Sequence, residues 1–294
     1  MSKPPRLTLP SVARAYRLST ARGAFAVHEA GQPVRGTALL VPGYTGSKED
    51  FVGLLAPLAG AGYRVVAVDG RGQYESPGPR DEAAYGLEEL ARDVLAQAAA
   101  LGGGPLHLVG HSLGGLIARA AVLRDAAPFA SLTLMSSGPA AITEVQQART
   151  KLLVAGLEAL RDDMPALWAA MRAQETQDAE DAEHTENTVP DGPAMTEFLR
   201  ERWLATVPEQ LITTGRVLIG EPDRVAELAR VPLPKLVLSG KVDYAWPVPL
   251  MDDMAVRLSA TRVVVEDAEH SPNAENPQVT AGALAAFWET ALQG

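Results

Sequence analysis

The sequence contains no cysteine among its 294 residues. Disulfide bonds, thiolate nucleophiles and cysteine-ligated zinc are therefore excluded. Aromatic residues make up only 5% of the chain, so alanine, valine and leucine must provide most of the core packing. Basic residues are also in deficit, because 26 lysines and arginines face 36 aspartates and glutamates, which gives a net charge of −10. That balance argues against nucleic acids and anionic membrane surfaces as the main partners.

Long apolar runs are missing as well. No window approaches the roughly 18 uncharged apolar residues of a membrane span, and the basic N-terminal segment has no apolar run of signal-peptide length. We therefore expect a cytoplasmic protein, a monomer or homodimer, without a membrane span. The sequence has no HExxH motif, no Walker loop and no GxGxxG after a strand. Nothing in it calls for a metal or an organic cofactor.

What the sequence does contain is a series of short apolar runs. They lie at residues 37–41, 64–68, 106–109, 132–135, 236–238 and 262–265. Runs that are apolar on both faces are typical of strands in a covered parallel sheet. Stretches with helical spacing separate them, and two shorter runs at 13–18 and 24–28 predict an N-terminal hairpin. This alternation predicts an α/β fold, with a mostly parallel central sheet flanked by helices on both faces.

One region, residues 140–231, interrupts the alternation. It has four stretches of helical periodicity and no convincing strand, so we expect an all-helical cap or lid inserted after the sixth strand. The core domain would then comprise residues 1–139 and 232–294. Within the insertion, residues 174–192 (QETQDAEDAEHTENTVPDG) are rich in acid and poor in apolar anchors. That composition predicts a mobile, solvated loop.

The run at 106–109 leads directly into a G-x-S-x-G motif, Gly110 to Gly114. Such a motif holds a serine on a sharp strand-to-helix turn, with its hydroxyl exposed. The motif alone is a weak signal, but here it follows a strand and opens a helix, which is the context that it requires. Ser112 is therefore the candidate nucleophile, and the alternative is a serine in a structural glycine-rich turn.

A serine nucleophile needs a base, and the chain has five histidines. We expect His28 to be solvated in the hairpin, His107 to pack in the core and His184 to lie in the acidic loop. His111 is adjacent to Ser112, but neighbouring side chains diverge at such a turn, so it is expected to pack against the sheet. His270 lies in the loop after the last strand, at the correct end of the sheet, and is the candidate base.

The base in turn needs an orienting acid on another strand end. Asp243 lies past the strand at 236–238, before a proline-started helix, and is our candidate. Asp267 and Glu269 compete, but they are too close to His270 in sequence to reach its far ring nitrogen easily. Asp69 also follows a strand, where it has the alternative of pairing with Arg71.

These features resemble the α/β-hydrolase family. The order Ser112, Asp243, His270 matches that family's order of serine, acid and histidine. The segments DGRGQYESPGP, GKVDYAWP and HSPNAENP are similar to further family loops, and the resemblance runs from about residue 36 to the C-terminus. It implies an oxyanion hole made by the backbone N–H groups of Tyr44 and Leu113.

The chain departs from the family pattern at two positions. Pro42-Gly43 stands where the family usually has His-Gly, which we expect to alter how that loop is braced without removing a backbone donor. Tyr74 stands where the family often has glycine, which concerns the shape of the loop.

The resemblance implies hydrolysis of a carboxylic ester or lactone through an acyl-enzyme. An apolar lid favours a small to medium apolar small-molecule substrate. Five pocket candidates follow, with packing of the lid on itself as the alternative interpretation: Tyr44, Leu167, Trp168, Met171 and Trp203. The same residues would also suit a thioesterase or acyltransferase, a cofactor-free haloperoxidase or a carbon–carbon bond hydrolase. Two non-enzymatic alternatives remain. One is a ligand-binding receptor of the same fold, and the other is a scaffold in which the serine, histidine and aspartate come together without catalysing a reaction.

Overall fold

A computed structural model of the chain describes residues 3–104, 106–181 and 192–291. Its sheet has eight strands in the order β1-β2-β4-β3-β5-β6-β7-β8. The strands are β1 (Ala13–Thr20), β2 (Gly23–Ala30), β3 (Gly36–Val41), β4 (Tyr63–Val68), β5 (Leu106–His111), β6 (Phe129–Met135), β7 (Lys235–Gly240) and β8 (Thr261–Val265). The hairpin β1–β2 is antiparallel and β2 pairs antiparallel with β4, whereas the remaining pairs are parallel. The predicted mostly parallel sheet is confirmed.

Helices cover both faces of this sheet. They are α1 (Val52–Gly60), α2 (Leu87–Leu101), α3 (Leu113–Arg124), α9 (Val248–Leu258), α10 (Pro272–Glu275) and α11 (Pro277–Ala291). Helices α1 and α11 build one core, and α2, α3 and α9 build the other. Successive residues of β3 alternate between the two cores, with Leu39 in one and Leu40 in the other. A strand buried on both faces must be apolar throughout, which explains the unbroken run in the sequence.

Between β6 and β7 the described residues contain helices and no strand. These helices are α4 (Glu144–Leu160), α5 (Met164–Asp181), α6 (Pro193–Ala205), α7 (Pro208–Gly220) and α8 (Val225–Ala229). Two of them begin with proline, whose fixed φ and missing N–H suit the first helical position. The all-helical insertion after the sixth strand is thus confirmed.

The acidic stretch at 174–192 departs from its prediction in part. Helix α5 continues to Asp181, so the residues from 174 to 181 are helical and not a loop. Five of residues 174–181 are glutamine, glutamate or alanine, which are good helix formers. Low hydropathy alone does not distinguish a solvated helix from a solvated loop. Residues 182–191 lie outside the described part of the chain.

No helix within residues 3–104, 106–181 and 192–291 is long and apolar enough to cross a membrane.

Candidate active site

Ser112 sits on the turn between β5 and α3. Its backbone has φ 55° and ψ −121°, a left-handed conformation that is unfavourable for a residue with a side chain. A Cβ placed on Gly110 would collide with the carbonyl oxygen of Gly114, and a Cβ on Gly114 would collide with the carbonyl oxygen of Val41. The two motif glycines are therefore required by backbone packing, and they allow the strained turn that holds Ser112.

The side chains of Ser112, His270 and Asp243 form one hydrogen-bonded chain. His270 Nε2 lies 3.1 Å from Ser112 Oγ, and His270 Nδ1 lies 2.9 Å from Asp243 Oδ2. The other carboxylate oxygen, Oδ1, accepts from the backbone N–H groups of Ala245 and Trp246 at 2.8 and 3.0 Å. Because a carboxylate only accepts, Nδ1 carries the proton, and Nε2 is left to accept from the serine hydroxyl.

The three side chains come from turns that follow β5, β7 and β8. These strands are parallel to one another, so their carboxyl ends meet at one edge of the sheet. Ser112 and His270 are 158 residues apart in sequence, and all three side chains are buried. The residues that the sequence singled out as nucleophile, base and acid are thus brought together.

Asp69, a competing acid, has a different partner from the one proposed for it. It accepts hydrogen bonds from the backbone N–H and the Nζ of Lys48, at 2.7 and 2.9 Å. Arg71 instead pairs with Asp93. The expected Asp69–Arg71 pair was wrong, because a buried carboxylate takes the cation that the fold brings to it, and Lys48 comes from a different loop.

The remaining histidines are not part of this hydrogen-bonded chain. His107 is buried, stacks on Trp288 and lies 2.8 Å from Ser131 Oγ, so its predicted core position is confirmed. His28, expected to be solvated, is in fact buried with Nε2 3.7 Å from Glu49 Oε1. His184 lies outside the described residues.

His111 has a more specific contact than sequence reasoning indicated. Its Nε2 lies 2.8 Å from the backbone carbonyl oxygen of His270, and its side chain is 2% exposed. A carbonyl only accepts, so Nε2 carries the proton. Burial lowers the pKa of His111 to about 4, with repulsion from His270 adding to the effect, so the ring is neutral at neutral pH. No local sequence pattern could reveal this contact, because it joins two loops that only the fold brings together.

The loop after β3 passes close to the serine. A Cβ built on Gly43 would lie 3.1 Å from Ser112 Cβ, so glycine allows this close approach. Gln73 Nε2 donates to the Gly43 carbonyl oxygen at 3.0 Å and thereby braces the loop that lacks the family histidine. Tyr74, beside it, has φ 41°, the left-handed region that favours glycine.

A cavity of about 280 Å³ opens beside Ser112. It is lined by Gly43, Tyr44, Thr45, His111, Ser112, Ile142, Gln146, Arg149, Thr150, Leu153, Met171, Leu218, Tyr244, Ala245, His270 and Ser271. Of the five pocket candidates, Tyr44 and Met171 are in this lining. The hydroxyl of Tyr44 also donates to the carbonyl oxygen of Leu211 in α7 at 3.0 Å, which connects the loop to the helical insertion.

The other three candidates do not line the cavity. Leu167, Trp168 and Trp203 are buried in a separate apolar cluster formed by α4 to α7. The Trp203 indole N–H donates to the carbonyl oxygen of Met164 in that cluster at 3.3 Å. Helical periodicity marks an apolar face but does not say what that face contacts, and here it packs the insertion on itself.

The model of the alpha/beta hydrolase family matches residues 38–283, which include every strand from β4 to β8 and all three side chains of the hydrogen-bonded chain. The chain belongs to the alpha/beta hydrolase family. The fold, the strand order and the chain order of Ser112, Asp243 and His270 agree with this membership.

Two relatives illustrate the range of this hydrolase family. The pimeloyl-[acyl-carrier protein] methyl ester esterase of Aeromonas hydrophila subsp. hydrophila is 31% identical over 238 residues, which cover 76% of this chain and 84% of that protein. A protein of Variovorax paradoxus (strain S110) that carries the name of a carbamate hydrolase, RutD, is 39% identical over 111 residues. That match covers 37% of this chain, and the chain spans only 41% of that relative's length.

Among solved structures, a thermophilic esterase from Thermogutta terrifontis superimposes with a TM-score of 0.73. The superposition covers 95% of this chain and 99% of that chain at 23% sequence identity. At this identity the likeness establishes the shared hydrolase fold.

Proposed function

We propose that this hydrolase cleaves a carboxylic ester or lactone of a small to medium apolar substrate through an acyl-enzyme on Ser112. His270 serves as the general base, and Asp243 orients its ring and stabilises the imidazolium that forms. The observation that carries the proposal is the continuous hydrogen-bonded chain, 3.1 Å from serine to histidine and 2.9 Å from histidine to aspartate. Those distances are within reach for proton transfer.

In the first half of the reaction, Ser112 Oγ attacks the ester carbonyl carbon while His270 Nε2 takes the hydroxyl proton. The negative charge that develops on the carbonyl oxygen is stabilised by the backbone N–H groups of Leu113 and Tyr44. Leu113 is the first residue of α3, where the helix dipole favours negative charge. The alcohol leaves with the proton from His270, and a water activated by the same histidine then hydrolyses the serine ester.

The cavity beside Ser112 supports a substrate of modest size. Its volume of about 280 Å³ lies at the small end of the range of about 300–1,000 Å³ that is usual for ligand pockets. Its lining includes an apolar wall formed by Ile142, Leu153, Met171 and Leu218, with the ring of Tyr44 beside it. The Aeromonas relative, named for a methyl ester substrate, favours ester over other bonds.

We further propose that residues 140–231 act as the lid of a core formed by residues 1–139 and 232–294. Thr150 and Leu153 of α4 and Met171 of α5 line the same cavity as Ser112, which supports this division. The lid would exclude water while the ester is attacked.

The test is labelling with a fluorophosphonate probe together with hydrolysis of p-nitrophenyl butyrate. Ser112→Ala is expected to abolish labelling and to lower kcat/KM by about 10⁴ or more, as in other serine triads. Ser271→Ala is the matched control, because Ser271 lines the same cavity without joining the hydrogen-bonded chain. An unlabelled wild-type protein, or an active Ser112→Ala variant, would refute the nucleophile. A panel of esters, thioesters and β-diketones then identifies the bond that is cleaved.

A further inference from the structure

One cation in the cavity lining has no role in the reaction just described. Arg149 lies on the exposed side of α4 and lines the cavity that contains Ser112. Within the described part of the chain it makes no hydrogen bond or ion pair. Its neighbours one helical turn away, Val145, Gln146, Leu152 and Leu153, include no carboxylate that would reach it along the helix.

Three other arginines of this insertion are paired with carboxylates. Arg161 faces Glu82, Arg202 pairs with Asp50, and Arg216 bridges Glu82 and Glu158. Arg149 differs from these three because it lines the cavity that contains Ser112, where a bound ligand can supply the missing carboxylate.

A second donor lies on the same face of α4. Gln146 precedes Arg149 by three residues, the spacing that places two side chains side by side on a helix, and it also lines the cavity. A planar guanidinium with a neighbouring amide suits a carboxylate, whose two oxygens accept parallel hydrogen bonds. One guanidinium also balances the single negative charge of a carboxylate.

We infer that Arg149 and Gln146 form a subsite for a carboxylate group on the substrate, remote from the ester that Ser112 attacks. The preferred substrates are then monoesters of small dicarboxylic acids, with an apolar segment between the two ends. This inference rests on the proposed ester hydrolysis and specifies its substrate class. Arg149 is assigned to binding and specificity and takes no part in the chemical step.

The test compares two esters that differ in charge but hardly in shape. Monomethyl glutarate and methyl 5-oxohexanoate have the same methyl ester, the same apolar segment and equal numbers of non-hydrogen atoms, but only the first carries a carboxylate. The wild-type protein is expected to prefer the glutarate by about tenfold in kcat/KM, chiefly through a lower KM. The preference should shrink as salt is added, because salt screens an ion pair made by an exposed arginine.

Three variants locate the subsite. Arg149→Gln should remove the preference by slowing only the anionic ester, and Arg149→Lys should retain part of it. Lys151→Gln is the matched control, since it removes one positive charge from an exposed position on the same helix that is not in the cavity lining. Lys151→Gln should leave kcat/KM for both esters unchanged.

The outcomes separate the two hypotheses. If Ser112→Ala abolishes hydrolysis but Arg149→Gln leaves the ratio of the two esters unchanged, or slows both equally, the subsite is refuted while the ester hydrolysis stands. The subsite is also refuted if Lys151→Gln lowers the preference as much as Arg149→Gln does. If Ser112→Ala retains hydrolysis of both esters, the proposed function itself fails.

Discussion

The contact from His111 to the His270 backbone predicts a specific consequence for activity. The imidazole of His111 fixes the residue that supplies the proposed base, through a bond of 2.8 Å. His111→Ala removes the donor and leaves the buried carbonyl of His270 without it, at a cost of about 1–3 kcal/mol. The space left by the ring adds a cavity cost, so we expect a loss of stability of about 3 kcal/mol or more.

The effect on catalysis follows from positioning. Small shifts in a catalytic side chain cost up to about 10²-fold, so His111→Ala should lower kcat on p-nitrophenyl butyrate by about 10- to 100-fold with little change in KM. His111→Gln is the matched variant, because its amide Nε2 reaches the position of the imidazole Nε2 and can donate to the same carbonyl. It should recover most of kcat.

The pH dependence provides a readout that fold stability alone would not give. His111 stays neutral down to its pKa of about 4, so it does not titrate between pH 5 and 8. The kcat profile of His111→Gln over that interval should therefore match the wild type in shape. A His111→Ala variant with the kcat of the wild type would refute the positioning role. If His111→Ala lowers kcat as severely as His270→Ala does, and His111→Gln does not restore it, His111 would instead be the base.

Two further predictions concern stability. Burial lowers the pKa of His107 from 6.5 to about 4, so as pH falls below 6.5 the unfolded chain takes up the proton first. The free energy of unfolding therefore falls between pH 6.5 and 4, by about 3 kcal/mol from this residue. Measured by urea unfolding, it should depend less steeply on pH in His107→Asn than in the wild type. An unchanged slope would contradict the lowered pKa of His107. Arg202 pairs with Asp50 at 2.9 Å with both side chains buried. Arg202→Leu should lower the free energy of unfolding by about 3–5 kcal/mol in the same assay. Arg200→Leu, at an exposed position of the same helix, should lower it by under about 1 kcal/mol. Equal losses in the two variants would show that the buried pair has no special role.

Much of the fold was predictable because its signals are local. Runs such as residues 37–41 and 64–68 are apolar on both faces, and only a sheet covered by helices on both sides buries them completely. The glycines at 110 and 114 likewise indicate close backbone contacts, since each position lacks space for a Cβ. Sequence order then placed Asp243 and His270 after strands whose ends face the same edge.

The cavity was less predictable, since its lining depends on which element each helix faces. Leu167, Trp168 and Trp203 have the spacing of an apolar face, but that face packs inside the insertion. Arg149 and Gln146 belong to no sequence motif that marks them, yet both line the cavity. Hydrophobic periodicity measures how apolar a face is and carries no information about its partner.

The sequence by itself determined the layered α/β architecture and the positions of Ser112, Asp243 and His270 at strand ends, because strand burial and the tight turn at the serine are constraints on neighbouring residues. Only the tertiary structure decided the contacts between segments far apart in the chain. The donation from His111 to the His270 carbonyl, the pairing of Asp69 with Lys48 and the position of Arg149 in the cavity wall are of this kind. They depend on the distances between loops, and those distances exist only once the sheet has assembled.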